Sequence, residues 1–216
     1  LVNWIKSKKQ PKDTNHISAR ELAKISRENR RITDRIEKQR NRKNVSESEY
    51  ETSMKDSQNV VEFDDLHTYF FTDIGTVKAV DGVSFSIPKG KTVGVVGESG
   101  CGKSVTALSL MQLVQRPQGQ IVSGAIRFDS SRKVLDIAKT PVSVMETIRG
   151  SEVSMIFQEP MTSLNPVFRV GDQIDEVIKL HNIGMSDEKV KALSLEMIDI
   201  VGIANNAGVY QMYPHE

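Results

Sequence analysis

Cysteines and long apolar runs are scarce in this 216-residue chain, and each shortage excludes a class of protein. The single cysteine, Cys101, rules out an internal disulfide and suits a reducing compartment such as the cytoplasm. No stretch approaches the roughly 18 apolar residues that a membrane span requires, and nothing after Leu1 has the layout of a secretory signal. Any membrane association is therefore expected to be peripheral. The length allows one good-sized domain with an appendage.

Charge is divided unevenly along the chain. Residues 1–57 hold 15 of the 29 lysines and arginines but only 9 of the 28 acidic residues, which leaves 14 basic and 19 acidic residues in 58–216. A basic segment of this kind suits contact with nucleic acid or an anionic membrane surface. It is equally typical of a solvated tail, which the composition favours.

One helix is predicted in the basic segment, over residues 18–43, after a linker at 1–15. Ser18 and Glu21 form a capping box, and Ile17 with Leu22 suits a hydrophobic staple. A heptad seam follows at spacings of three and four: Leu22, Ile25, Asn29, Ile32 and Ile36. The seam covers about two heptads, short of what a coiled coil needs. A charged helix docked loosely or not at all is therefore expected.

The folded body is predicted to begin near residue 59, after a Ser-rich linker at 44–58, so that 1–58 is an extension and 59–216 one domain. Apolar alternation and turn residues predict strands at 60–71, 77–87, 121–128 and 153–157, with helices at 104–114, 170–181 and 187–201. The continuous apolar run at 92–96 is typical of a buried parallel strand.

A phosphate-binding loop stands between that run and the helix at 104–114. Residues 97–104 read Gly-Glu-Ser-Gly-Cys-Gly-Lys-Ser, which fits the P-loop pattern G-x-x-x-x-G-K-[ST]. Glycines at 97, 100 and 102 let the backbone turn its amides inward, and the helix N-terminus favours an anion. Lys103 is expected to reach the β- and γ-phosphates and Ser104 to ligate Mg²⁺. The thiol of Cys101 is interpreted as a small group that the loop tolerates.

The segments around this loop resemble the ABC ATPase family. They are residues 79–85, Ala-Val-Asp-Gly-Val-Ser-Phe, and residues 155–166, Met-Ile-Phe-Gln-Glu-Pro-Met-Thr-Ser-Leu-Asn-Pro. The second is similar to the Q-loop of the oligopeptide, dipeptide and nickel importers. The resemblance covers about 60–216 and implies an α/β P-loop fold with an antiparallel β-subdomain, a RecA-like core and the start of a helical subdomain.

The resemblance also implies roles for individual residues. ATP and Mg²⁺ are the expected ligands, held by the loop residues Gly97, Glu98, Ser99, Gly100, Cys101, Gly102, Lys103, Ser104 and Val105. Lys103 and Gln158 are the expected catalytic residues, and Ser104 and Gln158 the expected Mg²⁺ ligands. An aromatic ring stacks on adenine in this family; Tyr69, Phe70 and Phe71 are candidates, and Phe70 is preferred.

The resemblance implies an importer subunit at the cytoplasmic face of the membrane. Its partners would be membrane permeases, a second ATPase subunit and, indirectly, an extracytoplasmic substrate-binding protein, with no nucleic acid. The signature sequence, the Walker B aspartate, the catalytic glutamate and the switch histidine of the family would follow Glu216. The chain as it stands is therefore expected to be a fragment that binds nucleotide without hydrolysing it.

Three alternatives stay open. One is a nucleotide-binding interaction fragment that self-associates through the heptad helix, and another is a nickel importer ATPase. A third is an ABC-type ATPase that acts on nucleic acid through the basic segment.

Overall fold

The computed structural model describes residues 18–42, 44–157 and 163–216. They form two compact units, one ending at Glu152 and one starting at Val153. No helix among these residues is both long and apolar enough to cross a membrane. The predicted linker at 1–15 and the staple residue Ile17 lie outside the described residues, and the predicted domain boundary at residue 58 stays a prediction.

The first unit is built on an antiparallel sheet in the order β2-β1-β3-β4. Its strands are β1 (Asn59–Thr72), β2 (Gly75–Pro88), β3 (Gly119–Asp129) and β4 (Val134–Asp136). Gly75 ends the tight turn between the first two strands, as the sequence predicts. The interior holds mainly apolar side chains of β1 and β3, among them Val61, Phe63, Leu66, Ile126 and Phe128. The predicted antiparallel β-subdomain is therefore confirmed.

Three helices belong to the same unit as this sheet: α1 (Ala19–Arg40), α2 (Lys103–Leu110) and α3 (Val142–Ile148). The capping box at Ser18 and Glu21 is present, which confirms the start of α1. The predicted helix at 104–114 is α2, whose last predicted turn is not helical. The short elements α3 and β4 have no counterpart in the predictions.

The expectation that α1 docks loosely is wrong. Asn29, the polar residue of the seam, is buried and donates its side-chain amide to the carbonyl oxygens of Thr72 (2.7 Å) and Gly75 (3.2 Å). Its own amide oxygen accepts from Thr76 Oγ1 at 3.3 Å. The four aliphatic seam residues are half-buried. The seam thus faces the β1–β2 hairpin, since its polar member donates to two backbone carbonyls of the turn.

A network of charged side chains holds the C-terminal end of α1. Glu37 accepts from Arg116 Nε at 2.8 Å and from Gln120 Nε2 at 2.7 Å. Hydrogen bonding from Arg116 lowers the pKa of Glu37 to about 2, against the opposing effect of burial. Arg40 donates to the side chain of Gln112 at the end of α2. The helix is therefore fixed at its middle and at its C-terminal end by specific polar contacts.

The predicted linker at 44–58 is also more ordered than expected. A 3₁₀ turn spans Glu47–Glu49, and Tyr50 beyond it is only 4% exposed. The carbonyl of Tyr50 accepts from Asp136 N at 2.7 Å, and Thr52 N donates to Val134 O at 3.0 Å. These bonds hold the segment alongside β4 and provide partners for backbone groups at the edge of that strand.

Two predicted strands are absent. Residues 92–96 and 153–157 form no β-strand: Val153 makes only an isolated bridge, and Val96 and Ile156 are 92% and 94% exposed. Within the described residues no strand pairs with either run, so their backbones have no ladder to join. An apolar run needs flanking strands before it is buried as a parallel strand.

The second unit contains three helices: α4 (Val170–His181), α5 (Asp187–Ile200) and α6 (Asn206–Gln211). The first two match the predicted helices, and α5 starts after Ser186 as expected. Asp175 of α4 joins them, since it accepts from Ser194 of α5 and from the Tyr210 hydroxyl of α6 at 2.7 Å. Gly171 lets the Tyr210 ring approach, because a Cβ there would lie 2.4 Å from it.

Candidate functional site

The loop at 97–104 forms a backbone cradle at the N-terminus of α2. Gly102 is the residue before the helix, has φ of +93°, and provides no side-chain cap. The first backbone donor inside the helix is Thr106, which reaches Gly102 O at 2.9 Å. The amides of residues 103–105 precede it and have no carbonyl four residues back within the helix. Such amides, together with the helix dipole, bind anions.

Glycine at position 102 is required by the packing of this cradle. A Cβ on Gly102 would lie 2.2 Å from the carbonyl oxygen of Ala79, so β2 and the start of α2 approach too closely for any side chain. A Cβ on Gly97 would lie 2.7 Å from Cys101 Sγ. At position 102 the backbone can therefore carry no side chain.

Lys103 lies across the loop. Its ammonium donates to the carbonyl oxygens of Gly97 (2.8 Å) and Glu98 (2.7 Å) and lies 3.6 Å from Cys101 Sγ. A phosphate that accepted from Lys103 would exchange these two bonds to neutral carbonyl oxygens for bonds between two ions of opposite charge. The cation is therefore already positioned at the mouth of the cradle.

The remaining loop residues are arranged for access. Glu98, Ser99, Cys101 and Ser104 are exposed, while Val105 is half-buried. The hydroxyl of Ser104 lies in the first turn of α2, where a cation bound to phosphates would approach. The residues present fit a phosphate chain with its divalent cation.

Two side chains that the sequence analysis missed anchor α2 to the sheet. Ser109 Oγ lies 2.9 Å from Thr68 Oγ1 of β1, and both residues are fully buried. Ser109 also donates to Val105 O at 2.7 Å. Hydroxyl pairs of this kind leave no sequence pattern, so only the fold brings them together.

The three aromatic candidates on β1 have different environments. Phe71 is buried near α1, beside Asn29 and Thr33. Tyr69 donates its hydroxyl to Asp81, which raises the pKa of the phenol, and its ring lies under the ammonium of Lys78. Phe70 is half-buried with its ring edge beside Gly119. It lies two residues from Thr68 along β1, and the register with β2 shifts between Thr68 and Tyr69.

Gln158 lies outside the described residues, as do residues 159–162 of the same segment. Its predicted role in catalysis and Mg²⁺ binding stays a prediction.

Comparison with known proteins places the chain in a family. The model of the ABC transporter family matches residues 80–210. An oligopeptide transport ATP-binding protein of Bacillus subtilis, AppD, is 44% identical over 156 residues, covering 72% of this chain and 46% of the relative. The dipeptide transport ATP-binding protein DppD of the same organism is 42% identical over 159 residues, with coverage of 74% and 46%.

A glutathione import ATP-binding protein of Pectobacterium atrosepticum, GsiA, is 44% identical over 164 residues, covering 76% of this chain and 26% of the relative. The chain thus spans half or less of the length of these curated relatives.

A solved ABC transporter cassette, the dimeric structure of MJ0796, has the same fold, with a TM-score of 0.61 at 17% identity. The match covers 72% of this chain and 62% of the cassette. The post-hydrolysis state of the same cassette, bound to ADP and Pi, matches equally well at 18% identity. This chain belongs to the ABC transporter family, with the α/β fold of its ATP-binding cassettes.

Proposed function

We propose that this chain is the nucleotide-binding part of the ATPase subunit of an ABC importer for oligopeptides or dipeptides. The observation that carries the nucleotide assignment is the cradle of side-chain-free backbone at the start of α2, with the Lys103 ammonium at its mouth. The peptide assignment is supported by relatives named for oligopeptide and dipeptide transport and by the segment at 155–166.

ATP with Mg²⁺ is the proposed ligand. The amides of residues 103–105 would donate to phosphate oxygens, and the loop glycines would allow the close approach that this requires. Lys103 would neutralise charge on the β- and γ-phosphates, while the Ser104 hydroxyl would hold the cation. Mg²⁺ supplies further neutralisation of the phosphate charge, which is what phosphoryl transfer chiefly needs.

Two further assignments extend the site beyond the cradle. Phe70 is proposed to stack on the adenine, because Phe71 is buried near α1 and the Tyr69 hydroxyl is engaged with Asp81. Gln158 is proposed to bind Mg²⁺ and the attacking water, by its place in the segment similar to the Q-loop.

The proposed partners are two membrane permeases, a second ATPase subunit and, indirectly, an extracytoplasmic binding protein. The location would be the cytoplasmic face of the membrane. Apolar side chains on the second unit support a protein partner: Val177, Leu180, Ile183, Ile200 and Val201 are each at least 55% exposed. Where such residues are contiguous on a surface, they mark an interaction site.

Nucleotide binding is tested by titrating the whole chain with a fluorescent ATP analogue in the presence of Mg²⁺. Lys103→Ala removes charge-assisted bonds and is expected to weaken binding by roughly ten- to a hundredfold. Lys91→Ala, which removes an exposed lysine six residues before the loop, serves as the matched control. Equal affinity of the two variants would refute the role given to Lys103.

The transport assignment needs its own experiment. The native gene is disrupted, and uptake of labelled dipeptide, oligopeptide, glutathione and Ni²⁺ is measured in the resulting cells. Loss of dipeptide or oligopeptide uptake supports the proposal. Selective loss of nickel or glutathione uptake would show that the proposed substrate class is wrong. It would leave the proposal of a nucleotide site unaffected.

A further inference from the structure

The outer face of α1 carries a line of positive charge. We define the basic stripe as Arg20, Lys24, Arg27, Arg31, Arg35 and Lys38. Spacings of four, three, four, four and three residues place all six within an arc of about 80° on a helix of 3.6 residues per turn. At 1.5 Å per residue the stripe is about 27 Å long. The acidic residues Glu28 and Asp34 lie at its edges.

The stripe is held outward by the contacts on the opposite face. Asn29 and Glu37 fix α1 to the sheet and to the α2–β3 connection, so the helix is presented rigidly. All six stripe residues are exposed. None of them takes part in the ion pairs found among residues 18–42, 44–157 and 163–216.

This arrangement opposes helix stability. Like charges four residues apart, as at 20 and 24, 27 and 31, or 31 and 35, destabilise a helix. A partner with negative charge would turn that repulsion into attraction. The sequence adds four lysines against one aspartate in residues 1–17, which extends the positive charge beyond the start of α1.

We propose that the basic stripe is a docking surface for the anionic lipid surface of the membrane. The choice of a membrane rests on the proposed function, because an importer ATPase works beside one. A straight, rigid line of six cations suits a flat anionic surface. Helix α1 contains no aromatic side chain on which an unpaired base could stack, which disfavours single-stranded nucleic acid.

The mode of binding follows from the packing of α1. Its apolar seam is occupied by the sheet, so the helix has no free apolar face to insert among acyl chains. Binding is therefore electrostatic and should weaken steeply as added salt shortens the screening length, which is about 10 Å at 0.1 M.

The test is sedimentation of the whole chain with vesicles of phosphatidylcholine, with and without phosphatidylglycerol, at about 0.1 M salt. The variant Lys24→Gln with Arg31→Gln removes two stripe charges. It should bind the anionic vesicles about thirtyfold more weakly, at the usual contribution of each basic residue near such a surface. The matched control, Arg132→Gln with Lys189→Gln, removes one exposed arginine and one exposed lysine elsewhere and should bind as the unmodified chain does.

Several outcomes would overturn the inference. Absence of binding to anionic vesicles, or an equal loss in the two variants, would do so. Tighter binding to duplex DNA or RNA than to vesicles at the same salt, lost in the stripe variant, would assign the surface to nucleic acid instead. Glutamine preserves helix propensity, and circular dichroism verifies that α1 is retained.

ATP binding is measured on the same preparations to separate the two proposals. If the chain binds ATP but no vesicles, only the proposed membrane-docking role of the basic stripe is refuted. A chain that binds anionic vesicles but no ATP refutes the proposed nucleotide site while leaving the charged surface standing.

Discussion

The docking of α1 makes a quantitative prediction for Asn29→Ala. The change removes two donated hydrogen bonds and one accepted bond, each contributing about 1 kcal/mol net. Alanine regains roughly 0.6 kcal/mol through its higher helix propensity. Docking of the helix is therefore expected to weaken by about 2 kcal/mol.

Hydrogen exchange of the α1 amides measures this effect directly, since exchange through local opening reports the free energy of that opening. A loss of about 2 kcal/mol corresponds to roughly thirtyfold faster exchange in peptides covering residues 19–40. Gln39→Ala truncates an exposed amide side chain on the same helix and is expected to leave the rates nearly unchanged. If Asn29→Ala accelerated exchange no more than Gln39→Ala does, the contacts of Asn29 would not be what holds the helix.

Three further predictions follow from the same structure. Because the folded-state pKa of Glu37 is depressed, its contribution to α1 docking is complete above about pH 4.5 and is lost as the pH falls toward about 2. The hydrogen-exchange rates of α1 should show this pH dependence. Glu37→Gln should remove it, whereas Glu28→Gln, at an exposed position, should not. Gly102→Ala introduces a clash with the backbone of Ala79 at a position with positive φ, and it should abolish ATP binding. Gly100→Ala has open space around it, so it should lower the stability measured in thermal melts by only about 1–2 kcal/mol of backbone strain. Tyr210→Phe removes the hydroxyl that donates to Asp175 and should lower the stability of the second unit by about 1–2 kcal/mol in denaturant titrations. An unchanged midpoint would contradict the contribution of this hydrogen bond.

Elements with strong local signals were predictable from the sequence. The capping box placed the start of α1 because its partners are three residues apart. Apolar residues along β1 and β2, with Gly75 at the turn, predict the two strands of the hairpin, and apolar periodicity predicts α4 and α5. The start of a helix directly after the glycine-containing loop was predictable for the same reason, since the loop and the first helical residues lie within eight consecutive positions.

Features that depend on distant partners were not predictable. The role of Asn29 rests on carbonyl groups more than forty residues away. Tyr50 was interpreted as part of a polar linker, although a large aromatic ring in such a stretch is itself a sign of burial. The runs at 92–96 and 153–157 read as buried strands by composition, but a strand exists only where another pairs with it.

The single cysteine provides a chemical handle at the most informative point of the chain. Cys101 is exposed, lies in the loop at 97–104 that is proposed to bind phosphate, and is the only thiol in the sequence, so a thiol reagent would modify one known position. A bound nucleotide would cover that position. The rate of alkylation would thus report occupancy of the loop in the unmodified protein, with no engineered label.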